Sequence, residues 1–364
     1  MQLTATARAV ALASLLLTLS SGCLRARTTT TRRGVISLHG GYYGDDDRVT
    51  VWNPSARATV PVTERLSLHG SYGVDIIAAA SVDIVASASR VLEQRHEVSA
   101  GASGSPDLRT TLRATYRASR EPDYGSDGLT LSFDRETSDR ARTFHAEIRG
   151  RYDRVGPGWL LQSAAPLVAM TAAGSVTQVV DRVTLVRVGL QTDVLDGLQS
   201  SVYRYVPIAG VAYPERVPDV RVRQSGLVRV QRSLVPTLAV YAEYDLTIDS
   251  WGVHGHTGDA GASWEVTPWL RMDARARVTW QSATSFYHAR YDALTDFRTR
   301  DRMLGGVLTW WPRIAIRIAW PPWPAAADWE FGVGASILHQ LFRDFEPLSQ
   351  RTAAVLDAWV ERSF

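Results

Sequence analysis

The residues of this chain whose types and spacing could do chemistry are few. His254 and His256, with Gly255 between them, stand beside Asp249 and Asp259. Imidazoles at this spacing can ligate a transition metal, and an Asp/His pair can activate water. No third ligand or nucleophile is placed by spacing, so the expectation is a polar loop with two solvated histidines. Asp45-Asp-Asp47 has the carboxylate density of a calcium loop but lacks its glycine and distal carboxylate, and reads as a solvated hairpin tip. The chain has no glycine-rich phosphate loop, serine elbow or CxxC pair. The expectation is a protein that is not an enzyme, with no metal and no cofactor.

The arginines are the stronger lead, because they recur at every second position. Arg109, Arg113, Arg117, Glu147, Arg149, Arg151, Arg221, Arg223, Arg229, Glu243, Arg271, Asp273, Arg275 and Arg277 would share one face of a set of strands. With Arg187, the arginines outnumber the acids assignable to those faces. Guanidinium charges around a water-filled lumen favour anions. The competing reading is that Asp134, Glu147, Asp153, Asp193, Glu243, Asp245 and Asp273 neutralise them in a structural network; spacing leaves both open.

The elements that would position these charges are strands with one apolar face. Leu270, Met272, Ala274, Ala276, Val278 and Trp280 alternate with Arg271, Asp273, Arg275 and Arg277. The same alternation runs through Leu108 to Ser119, Phe144 to Asp153 and Val220 to Arg232. A soluble sandwich also alternates. Against it stand connections that alternate between tight turns (Pro61 to Glu64, Thr137 to Arg140, Asp181-Arg182, Leu234 to Pro236, Thr267 to Trp269) and long loops (76–92, 154–171, 194–219, 283–300). Aromatics also gather near strand ends, at Tyr116, Tyr152, Trp264, Trp269, Trp280, Trp310 and Trp311, and the chain closes on Phe364. These are marks of an all-β fold: a transmembrane antiparallel up-and-down β-barrel with short periplasmic turns and long outer loops.

The pattern predicts strands near 34–43, 48–60, 64–75, 93–102, 109–120, 127–136, 141–153, 172–180, 183–193, 220–232, 237–247, 255–266, 270–282, 301–311, 329–340 and 352–364. That is about sixteen, or fourteen if the chain beyond Pro312 does not pair, since Arg351 to Phe364 also reads as an amphipathic helix. Pro54 calls for a bulge or an edge position in the second strand. Ile76 to Ser89 is apolar and small, which reads as a strand extension with a packed loop or as a segment folded into the lumen.

Composition agrees with a membrane wall. Of the charged residues, 40 are basic and 37 acidic, and every basic one is Arg; the net charge is +3. Mean hydropathy is −0.11, and beyond the N-terminus no apolar run nears the ~20 residues a membrane helix needs. Arginines dispersed at strand spacing do not form a nucleic-acid patch. Arg8 followed by the apolar Ala9 to Leu19 reads as an export signal over 1–22. Leu19-Ser-Ser-Gly-Cys23 is close to a lipobox, so Cys23 is a candidate for acylation as the first mature residue. Residues 23–33 would be a polar tether and 34–364 the barrel. A single cysteine leaves no intramolecular disulfide.

Several loop-side segments carry a resemblance. Ala79-Ala-Ser-Val-Asp-Ile-Val-Ala-Ser-Ala-Ser89, Glu121-Pro-Asp-Tyr124, Arg151-Tyr-Asp-Arg-Val-Gly156, Tyr203-Arg-Tyr-Val-Pro207, Glu215-Arg-Val-Pro-Asp219, Trp251-Gly-Val-His-Gly-His-Thr257 and Arg300-Asp-Arg-Met-Leu-Gly305 follow the order found in an uncharacterised family of bacterial outer-membrane barrels, the domain-of-unknown-function family 3570. The chain resembles that family over most of its length. The resemblance implies a bacterial outer-membrane location and an envelope setting near thioredoxin-like and flavin-transferase-like proteins, while the terminal Phe364 suits insertion by the bacterial barrel assembly machinery. It supplies no catalytic residues.

The function expected is a passive pore or transport component for a small hydrophilic, anionic solute. The alternatives are a sealed barrel that acts as a scaffold in an envelope redox-associated complex, and a rim-active outer-membrane hydrolase.

Overall fold

The computed structural model describes residues 33–79, 91–156, 165–320, 328–345 and 348–364. The export signal, Cys23 and all but the last residue of the tether lie outside the described residues, as do 80–90 of the apolar loop. Within them the alternation has been converted into strands: β1 (Val35–Asp45), β2 (Val49–Pro61), β3 (Leu66–Ala79), β4 (Val91–Gly104), β5 (Thr110–Arg120), β6 (Tyr124–Glu136), β7 (Arg142–Val155), β8 (Ala165–Val179) and β9 (Thr184–Gly197). After the short hairpin β10 (Tyr205–Ile208) and β11 (Val211–Pro214) come β12 (Val220–Val235), β13 (Leu238–Asp249), β14 (His254–Thr267), β15 (Leu270–Gln281), β16 (Val307–Trp320), β17 (Trp329–Phe342) and β18 (Gln350–Ser363). Each barrel strand pairs antiparallel with its neighbours, and β1 closes on β18, giving sixteen strands and no sheet edge. Among the described residues no helix is long and apolar enough to cross a membrane.

The outer face explains why the sheet closes. Ile36, Leu68, Leu131, Ile148, Met170, Val228, Met272, Ile314, Val333 and Leu356 all point outward and are exposed. A wall this apolar is stable only against lipid tails. Aromatics edge the band on both rims. Near the loop side Tyr72 bonds His96, and His256 sits between Tyr244 and Trp280. Near the turn side stand Trp264, Trp320 and the stacked pair Trp329/Phe331. Trp311 departs from the expected girdle: it points inward and its Nε1 donates to Ser336 Oγ at 3.0 Å.

The strand expected at 301–311 lies instead at Val307–Trp320, because Pro312 is accommodated inside it. Pro312 stays in register with Ala276 of β15, and pairing toward β17 lapses only at Trp311 and Pro312 before resuming at Arg313. Pro54 is handled in the same way, without the expected bulge or edge: pairing toward β3 lapses at Asn53 and Pro54, and the Asn53 side-chain amide donates to Asp75. A proline costs the ladder one donor, which a local lapse absorbs without shifting register. The bulges fall at Ser233/Val235 and Glu265/Thr267, beside tight turns. The segment after Pro312 therefore pairs, Arg351 to Phe364 is strand rather than helix, and the fourteen-strand alternative is excluded.

Both described chain ends meet on the short-turn rim, where Gly34 and Phe364 exchange backbone hydrogen bonds. Strict alternation of tight and long connections does not hold on the opposite rim, which also carries tight turns at 46–48, 121–123 and 250–253.

Candidate functional site

Inside the wall formed by β8, β9, β12–β18, β1 and β2 lies a cavity of about 1050 Å³. Its lining includes nine arginines (Arg57, Arg187, Arg229, Arg271, Arg275, Arg277, Arg313, Arg317 and Arg351) and four carboxylates (Asp273, Glu330, Asp357 and Glu361). Register sets several of these arginines directly opposite one another: Arg271 faces Arg317 and Arg275 faces Arg313 across β15/β16, and Arg187 faces Arg229 across β9/β12. Like charges in direct cross-strand positions destabilise a sheet, so each pair must be offset by something nearby.

Part of the offset is a set of carboxylates. Buried Asp259 accepts from Arg275 Nε at 2.8 Å, Arg277 Nε at 2.7 Å and Tyr241 Oη at 2.9 Å. Arg313 binds Asp357 at 2.7 Å, and Arg317 reaches Asp273 at 3.1 Å and Glu330 at 4.0 Å. Arg229 lies 3.5 Å from Glu243 and 3.9 Å over the Tyr241 ring. Other cations have weaker offsets. Arg187 donates to Ser175 Oγ at 3.2 Å, and Arg57 and Arg187 have no carboxylate within ion-pair distance among the described residues. Against the guanidiniums stand inward aromatics. The Trp359 ring fills the space that any Cβ at Gly332 would occupy, with Arg317 at 5.9 Å from its centroid.

Of the residues singled out from the sequence, Arg187, Arg229, Arg271, Asp273, Arg275 and Arg277 line this cavity, and Glu243 stands behind Arg229. Arg221 and Arg223 sit near the outer end of β12, both bound to buried Asp249. On the far wall Arg117 pairs with Glu97, Arg149 with Glu147 at 2.6 Å and Arg151 with Asp153 at 2.9 Å, while Arg113 projects from β5. Arg109 belongs to the turn before β5, where its backbone N donates to Asp107. Arg57, Arg313, Arg317, Arg351, Trp311 and Trp359 were not foreseen. Arg313 and Arg317 do keep the period of two, with Pro312 interrupting the pattern in front of them.

The histidine constellation does not assemble. His254 and His256 open β14 on the outer face, whereas Asp249 and Asp259 point inward, so the wall separates them. His256 makes its polar contact within the girdle, Nδ1 lying 2.6 Å from Tyr244 Oη. The histidines are wall residues rather than a solvated loop. Among the described residues no cluster of three or more His, Cys, Asp or Glu could hold a metal.

Over the outer mouth two loops fold into a cap. The hairpin β10/β11, turned at Ala209-Gly210 with φ of 49° and 82°, packs Val206 and Ile208 on Tyr291 of the 282–306 loop. Glu215 is the hub: it accepts from Arg204 at 3.1 Å, Thr299 Oγ1 at 2.5 Å and the backbone of Ser201 at 2.5 Å. Arg204 also reaches Asp301 at 2.9 Å, and Asp301 in turn caps the 3-10 turn Arg302–Leu304. Arg302 pairs with Asp47, so the Asp45-Asp-Asp47 turn is anchored and partly buried rather than a solvated tip. On the other side Tyr203 approaches Asp123 of the 121–123 turn, whose carboxyl is raised by burial. Tyr203-Arg204, Glu215, Trp251 and Arg300 to Gly305, which carried the family resemblance, therefore converge at this rim.

Residues 167–303 match the model of a family described as a protein of unknown function, DUF3570, which includes most of the cap and the β12–β15 wall. No curated protein sequence matches the chain. A structure described as a bacterial polysaccharide outer membrane secretin has a TM-score of 0.54 at 11% identity, covering 92% of this chain and 99% of that one. OpdK of Pseudomonas aeruginosa, solved with vanillate, gives 0.45 at 8% identity, with 91% and 98% covered. The siderophore receptor PirA of the same organism gives 0.44 at 13% identity; 86% of this chain is covered, but it spans only 57% of that one. The fold is that of a bacterial outer-membrane barrel, and with its lipid-facing exterior it places the protein in that membrane.

Proposed function

We propose that the protein is a pore or uptake component for a small, hydrophilic, anionic solute. The observation that carries this reading is the set of directly opposed arginines, Arg271/Arg317, Arg275/Arg313 and Arg187/Arg229, on one cavity wall. A lumen that needed only filling would be served by opposite charges or neutral side chains. Arginines held against one another instead keep a positive field in a low-dielectric enclosure, which concentrates anions and offers paired donors to a carboxylate or phosphate. The cavity volume lies at the upper end of small-molecule sites. The reading uses no catalytic step and no cofactor. Liposome swelling is the test: an anionic solute should enter faster than a neutral one of equal size, and equal rates would remove the support.

A second reading rests on the cap, which is tied to the β1–β2 turn by the Arg302–Asp47 pair. A barrel held shut there would act as a scaffold, and its periplasmic rim would receive thioredoxin-like or flavin-transferase-like partners. That reading requires impermeable liposomes with every solute.

A further inference from the structure

The cap and the cavity meet at Arg351. Its side chain lines the cavity and is only 1% exposed, yet no carboxylate lies within ion-pair distance of it among the described residues. Its partners are neutral: Nε, at 2.9 Å, and Nη2 both donate to Gln340 Oε1, Nη2 also lies 3.8 Å from the Met303 sulfur, and the Phe342 ring is 5.9 Å away. The other terminal nitrogen, Nη1, is buried with no hydrogen-bond partner. Asp45 feels the Arg351 charge from beyond ion-pair distance, and its carboxylate is engaged by Tyr43 Oη and the Val49 backbone. A desolvated guanidinium held by an amide and a thioether is costly, because a thioether is a weak acceptor where a charged fork calls for an oxyanion.

Met303 belongs to the cap, in the turn Arg302–Leu304, and its carbonyl is held by Gln281 Nε2 at 2.8 Å. Its side chain reaches Arg351 from a cap turn outside the barrel sheet, whereas Gln340 is fixed in β17. We propose that Arg351 is an oxyanion subsite at the roof of the cavity, closed by Met303, and that the carboxylate or phosphate of a solute displaces that thioether and loosens the cap. The inference rests on the reading of the lumen as an anion path and adds to it a saturable binding step coupled to the outer cap.

The test is calorimetric titration of the purified, folded barrel with succinate and with inorganic phosphate at constant ionic strength, alongside proteolysis of the 282–306 loop. The wild type should bind at least one probe saturably, and bound probe should speed cleavage of the loop. Arg351→Gln should weaken binding at least tenfold and abolish the effect on cleavage. Met303→Ala should tighten binding several-fold, and it carries the test if Arg351→Gln fails to fold. Succinate binding alone would identify a carboxylate solute and phosphate binding alone a phosphorylated one. Folded Arg351→Gln with affinity within twofold of wild type, weaker binding in Met303→Ala, or no saturable binding at all would overturn the subsite. Anion-selective conductance with no saturable binding would leave the pore standing without it, and Arg351-dependent binding in an impermeable barrel would do the reverse.

Discussion

Arg302 and Asp47 lie 255 positions apart in the chain and form a buried ion pair that ties the cap to the β1–β2 turn. Breaking a buried pair by removing one partner leaves the other charge desolvated, at a cost of about 3–5 kcal/mol. Asp47→Asn should therefore raise hydrogen exchange throughout 282–306 while the barrel strands stay protected. Arg302→Met added to Asp47→Asn should recover part of the loss. Unchanged exchange in the single variant would mean the pair does not hold the cap.

The wall register predicts a sharp contrast between two neighbours on β15. Ala276 faces lipid in a row with Ala260 and Pro312, while Thr279 faces the cavity, 3.1 Å from Thr257. Ala276→Arg should cost about 2–4 kcal/mol, as a cation near the bilayer midplane does. Thr279→Arg should be mild. Urea titration followed by heat-modifiable gel mobility reads both, and equal tolerance would contradict the assigned faces.

Gly332 is required because the Trp359 ring occupies the space of any Cβ there. Gly332→Val should displace the indole and destabilise by about 1–3 kcal/mol through overpacking. Loss of near-ultraviolet dichroism from Trp359, checked against Trp359→Leu, is the readout; an unchanged spectrum would contradict the packing.

Alkaline pH should release the cap. Burial pushes the Tyr287 phenol up to about 12 from its ordinary 10.0, with the charges of Asp344 and Asp301 adding to the shift. The folded value lies above the unfolded one, so this contribution is fully present below pH 10.0 and is lost as pH rises through about 12. Proteolysis of the cap loops should accelerate across that window, and Tyr287→Phe should remove the step. A variant as alkali-sensitive as the wild type would assign the effect elsewhere.

The barrel was legible because each strand must show one face to lipid and one to the lumen, and the period of two records that at every position. β15 could be read side chain by side chain. Trp311 could not, because an inward indole and a girdle indole are the same residue type, and Pro312 beside it hid the period that would have placed it inside. The cap was illegible for a different reason. Glu215, Thr299, Asp301 and Asp47 meet through contacts between loops that have no period, so their buried pairs leave no local mark in the sequence. Arg351 was missed because the segment that carries it read equally as strand or helix.

The arginine field of the lumen should favour anions. This preference is tested most directly by the reversal potential of single barrels in a planar bilayer under a potassium chloride gradient. Arg57 and Arg187 are the residues to change, because they line the cavity without a carboxylate partner among the described residues, so Gln there orphans no buried acid. The field reaches over about a Debye length, ~10 Å at 0.1 M salt. The potential should be chloride-selective, shrink as salt rises and shrink further in Arg57→Gln/Arg187→Gln. A cation-selective potential, or one indifferent to both changes, would contradict it.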